Sequence, residues 1–135
     1  PASLVTAQAP KSDHSASGPS VTLTGEIVSL RCLALDPEKG HGADHSKCAE
    51  AALRRGEPAG LLSGGAVYLL TGISDPKIRP VFLAVVREEV AITGVVATSQ
   101  GFQVLDVSGI QSRGQPVKKV PPAKKASDKK GLRKE

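Results

Sequence analysis

Both cysteines of the chain, Cys32 and Cys48, and two of its three histidines, His41 and His45, fall in the stretch from Cys32 to Cys48. Thiolate and imidazole ligands suit Zn²⁺, Cu or Fe. Cys32, His45 and Cys48 are therefore candidate metal ligands. His41, between Gly40 and Gly42, is placed to fill a fourth position. The spacing lacks the paired C-x-x-C of a strong zinc motif, so a Cys32–Cys48 disulfide is the other reading. Closing that loop would stabilise the domain by ~3 kcal/mol in the chain-entropy description. A third reading makes Cys48 a nucleophile activated by His45, three residues before it, although no third orienting residue is apparent. The absence of C-x-x-C-H excludes a c-type haem, and no Gly-x-Ser-x-Gly occurs. Glu88-Glu89 reads as a solvated strand start. No cofactor is implied beyond zinc or another transition metal.

The elements that must position these groups are mostly strands. Aromatics make up 2% of the chain (Tyr68, Phe82 and Phe102), and Met and Trp are absent. The core must then be built from Val, Leu, Ile and Ala, whose β-branched members pack well on a pleated surface. Val21 to Leu33 reads as the first strand. The apolar set changes phase after Gly25-Glu26, as a bulge or sharp bend would cause, and the change turns Val28, Leu30 and Cys32 inward. Asp36 to Gly42 is a loop. A short helix follows over His45 to Arg55, with Asp44 as N-cap, Gly56 at C′ and Pro58 as a stop. His45 and Cys48 share one face of it. Leu61-Leu62 and Ala66 to Thr71 flank Ser63-Gly64-Gly65 as a hairpin. Val81 to Glu88 reads as a helical turn opened by Pro80. Val90 to Thr98 and Phe102 to Val107 make a second hairpin around Ser99-Gln100-Gly101. These features predict a mainly β fold: a small five-stranded OB-like barrel with one short helix after the first strand.

Composition divides the chain into a flexible leader over 1–20, the barrel over 21–112, and a disordered Lys/Pro/Ala-rich tail over 113–135. The leader contains Ala7-Gln8-Ala9, the small-x-small form of a signal-peptidase site, preceded by Leu4-Val5. Residues 1–9 thus read as the end of a signal peptide, and the chain as exported to the periplasm or cell exterior. No apolar run approaches a membrane span. Net charge is +5. Nine Lys/Arg against two acidic residues lie from Arg113 onward, so the tail carries +7 and the rest −2. Lys118, Lys119, Lys124, Lys125, Lys129 and Lys130 are the candidate polyanion contacts, and nucleic acid is a partner only through this tail.

The order Gly25-Glu26-Ile27-Val28, Cys32, His45, Cys48-Ala49, Gly56-x-Pro58, Gly60-Leu61-Leu62 and Tyr68-Leu69-Leu70 resembles a group of small exported bacterial OB-like domains with a Cys/His loop. The resemblance covers about residues 21–110. Members often carry a further Cys where this chain has Ala52, so a three-thiol metal site in that group would lack one ligand here. The resemblance implies the fold and export more than an activity. The leading expectation is a non-enzymatic exported accessory subunit or binding module, its Cys/His loop disulfide-pinned or metal-binding, with a protein partner in a redox or envelope complex. An OB-type polyanion binder using the tail and a small thiol-dependent enzyme are the alternatives.

Overall fold

The computed structural model of the chain describes residues 18–119. The Ala7-Gln8-Ala9 motif and the lysines at 124, 125, 129 and 130 lie outside the described residues. In chain order the elements are β1 (Val21–Ser29), α1 (Leu30–Leu35), α2 (Ala43–Arg54), β2 (Ala59–Ser63), β3 (Ala66–Thr71), α3 (Arg79–Ala84), β4 (Glu88–Ser99) and β5 (Phe102–Pro116). The fold is mainly β, as expected. Its five strands hydrogen-bond in a closed ring, β1-β2-β3-β5-β4. All neighbours are antiparallel except β3 and β5, which pair parallel through Leu69↔Val104 and Thr71↔Asp106.

β1 is shared between two neighbours. It pairs with β4 from Val21↔Gly94 to Glu26↔Glu89, then with β2 from Glu26↔Leu62 to Ser29↔Ala59. The exchange requires a bend and not a bulge, because the β4 register runs unshifted through Gly25. A Cβ at Gly25 would stand 2.1 Å from the Leu62 carbonyl oxygen. Only glycine allows that approach. The expected phase change does not occur. Ile27 joins the core cluster and Leu23, of the same parity, packs against it. Val28, on the other face of β1, is also fully buried.

The first strand is shorter than expected, and more than one helix follows it. Residues 30–35, Leu-Arg-Cys-Leu-Ala-Leu, include good helix formers and no β-branched residue. Ser29, extended at φ −80°, ψ 122°, caps them by accepting the Cys32 N–H at 3.3 Å. Cys32 is therefore carried on a helix, not at an inward-facing strand end. The second helix starts two residues earlier than predicted. Its N-cap is Gly42, and Asp44 lies in the first turn, where its charge still complements the helix dipole. Its end matches the reading: the Gly56 N–H donates to Leu53 and the Glu57 N–H to Ala52, a Schellman closure. α3 forms over the predicted turn with Pro80 near its start. Leu53 from α2 and Phe82 from α3 enter the same core as Leu61, Leu70, Ile92 and Leu105.

The ordered fold also passes the expected boundary at 112. β5 runs to Pro116, and Val117, at 4% exposure, is buried. The Val117 N–H donates to the Arg87 carbonyl at 3.1 Å, and the Lys118 carbonyl accepts the Ala43 N–H at 3.0 Å. Residues 116–119 form a strap over the start of α2. One valine among polar and charged residues was the only sign of this in the sequence, and composition averaged it away.

Candidate functional site

Two regions beside the ring carry the chemistry. The first is the loop from Asp36 to Gly42 and its anchor on β1. The loop folds back onto α1: the Gly40 N–H donates to the Asp36 carbonyl at 2.7 Å. A Cβ on Gly40 would meet the Cys32 carbonyl oxygen at 2.6 Å, so glycine is required there too. Glu26, a charged residue in an otherwise apolar part of β1, reaches into the loop. Its Oε2 accepts the Gly42 N–H at 2.6 Å, and its Oε1 stands 3.9 Å from His41 Nδ1. Glu89, its cross-strand neighbour on β4, pairs with Lys118 Nζ at 3.7 Å.

The cysteines do not meet in this arrangement. Cys32 is half-buried on α1, Cys48 is exposed on α2, and both are free thiols. The buried face of α2 consists of Ser46, Ala49, Ala52 and Leu53, which leaves Cys48 outside it. The expected Cys32–Cys48 disulfide is not formed. Nor is the Cys32, His41, His45, Cys48 ligand set assembled: among the described residues no group of three or more His, Cys, Asp or Glu is placed to hold a metal ion. His45 Nε2 is shielded and has no hydrogen-bond partner, so it accepts no proton from Cys48 in this geometry.

Burial pushes the Glu26 carboxyl above its ordinary 4.5, and Glu89 adds to the rise; the Gly42 N–H and His41 oppose it. Burial, with His41 second, pushes His45 below its ordinary 6.5. The two act in opposite directions on stability. The raised Glu26 contributes stability that is present below pH 4.5 and lost as pH rises through its folded value. The lowered His45 contributes stability present above pH 6.5 and lost as pH falls through its folded value. Replacement by Gln fixes the Glu26 position as neutral. Urea unfolding of wild type and Glu26→Gln should therefore show wild type gaining on the variant as pH falls from 7.5 to 4.5. A pH-independent difference between them would contradict the assignment.

The second region is an apolar groove of about 470 Å³ lined by Leu30, Val67, Leu69, Gly101, Phe102 and Gln103. Leu69 is in register with Val104, and Val104 with Ala97, so small and apolar side chains cross three strands on this face. Phe102, 49% exposed, stands at its end.

No family model matches the chain, no curated protein matches it, and no solved structure matches it.

Of the candidate polyanion contacts, Lys118 and Lys119 are described and both are exposed. Sequence reasoning passed over Glu26 and Phe102. A lone carboxylate between Leu23 and Val28 was the available sign for the first. For the second it was an aromatic directly after Gln100-Gly101, at a strand end where little of the ring remains to cover it.

Proposed function

We propose that this chain is a non-enzymatic, exported binding module, an accessory subunit that engages an apolar segment of a partner protein. Its ring of strands is taken as an OB-like barrel, with α1 and α2 inserted between its first two strands. The apolar groove ending at Phe102 is the observation that carries this reading. A large aromatic left half in water beside Leu30, Val67 and Leu69 is suited to being covered by a partner. The groove offers few polar groups to orient a reacting substrate, which favours binding over catalysis. Leu69→Glu places a charge among these partly buried apolar side chains and should cost about 1 kcal/mol of folding free energy, leaving the domain folded. It should remove co-elution of the chain with its native complex on size exclusion. Retained co-elution, with folding intact, would count against the groove.

A second reading is supported by the strap. Lys118 and Lys119 lead directly into the lysine pairs of the C-terminal segment, and a polyanion gathered there would bind through charge. That reading does not depend on the groove.

A further inference from the structure

The strap combines two features that bear on polyanion binding. It is part of the fold through Val117, and it carries the first two lysines of the basic segment. Val117 is the one buried residue between Gln111 and Lys119. Its seat adjoins a cleft of about 460 Å³ whose lining includes Ala43, Ser46, Glu50, Leu83, Glu88 and Pro116. The seat is held by a backbone hydrogen bond on each side, Val117 N–H to the Arg87 carbonyl and Ala43 N–H to the Lys118 carbonyl.

The seat's surroundings are acidic. Glu88 lines the cleft, Glu50 stands across it, Glu89 takes the Lys118 ammonium, and Glu26 is paired in register beside Glu89. Glu50 is already held by Arg54 at 3.0 Å and by Arg87 at 3.8 Å, so the acidity facing the strap comes from Glu88, Glu89 and Glu26. Lys118 Nζ lies 3.7 Å from Glu89 with its side chain 73% exposed, a pair that competing anions and salt displace readily. While Val117 is seated, Lys118 is held close to Glu89, and Lys119 follows it directly in the chain. A polymer of phosphates approaching those lysines meets like charge within a screening length, on the order of 8–10 Å.

We propose that the strap is a displaceable cis contact: a flexible phosphate polymer and the acidic seat compete for Lys118, and binding of the polymer lifts Val117 from its place and uncaps α2. This rests on the reading of the basic segment as a polyanion site. Two consequences follow from linkage. The polymer binds the unseated form more tightly than the seated one, so it shifts the population toward unseated. Reciprocally, loosening the seat raises apparent affinity, because a larger fraction of the chain is already competent.

The test uses the full chain, valine-methyl and amide NMR, and inorganic polyphosphate as the probe. At saturation the Val117 methyl signals should move to solvent-exposed positions, and the Ala43 amide should lose exchange protection. Val117→Ser changes no charge and weakens the seat; it should bind polyphosphate several-fold more tightly than wild type. A single-stranded oligonucleotide of matched phosphate number should give the same response, because no base is read. Polyphosphate binding that leaves Val117 and Ala43 unchanged, with Val117→Ser binding like wild type, would overturn the exchange while leaving the polyanion reading in place. No binding of either polymer at low salt would overturn both. A response to the oligonucleotide alone would show that bases are read, and would also overturn it.

Discussion

Phe82→Ala is expected to destabilise the domain by about 3–5 kcal/mol, the range for truncating a buried aromatic. Phe82 is fully buried at 0% exposure. It is the fully buried member of a very small aromatic set, since Phe102 is half exposed and Tyr68 only partly buried. The side chain comes from α3, a helix of six residues, too short to persist without tertiary support. Its loss therefore removes core volume and also the main anchor of α3. The packed ring around it, with Leu61, Ile92 and Leu105, limits how far the cavity can collapse. Equilibrium urea unfolding gives the value directly. A loss below about 1 kcal/mol would mean that α3 is not part of the core.

Gly25→Ala should rank close behind, at about 3 kcal/mol, the upper part of the overpacking range. The added carbon would lie 2.1 Å from the Leu62 carbonyl oxygen and 2.9 Å from its carbon. Both are backbone atoms in a strand paired on each side, so neither can turn away as a flexible side chain could. Relief requires moving β2 away from β1 at the point where β1 changes partners. Gly109→Ala is the matched control. Gly109 also lies in a strand, yet a Cβ there meets nothing within 4 Å. That substitution should be neutral or stabilise by up to about 1 kcal/mol, through the unfolded chain. Equal effects at the two positions would show that chain entropy, not the close approach, governs both.

The strands after the helices, both hairpin turns and the end of α2 were legible because each rests on local chemistry. Alternation marks the strands, Gly64-Gly65 and Gly101 mark the turns, and Gly56 with Pro58 marks the helix end. The start of the helical region was not. Leu30-Arg31-Cys32 continues the apolar–polar alternation of Val28-Ser29, and over so short a segment periodicity cannot tell a helix from a strand. The deciding signal was Ser29, a capping residue inside what read as one strand. That misreading propagated to the site. With Cys32 placed on an inward strand face, the two sulfurs seemed to converge; with Cys32 on α1 they remain free. Glu26 and Val117 were missed for a different reason. Their partners, Gly42 and Arg87, are distant in sequence, so no local pattern announces them.

The central claim, that the Phe102 groove contacts a partner protein, is tested most directly by placing a photocrosslinking phenylalanine analogue at Phe102 and irradiating the chain in its native host. A discrete adduct with another protein is expected, and it should disappear when Leu69→Glu is added, with the domain still folded by its urea transition. No adduct, or one that persists with Leu69→Glu, would contradict the claim.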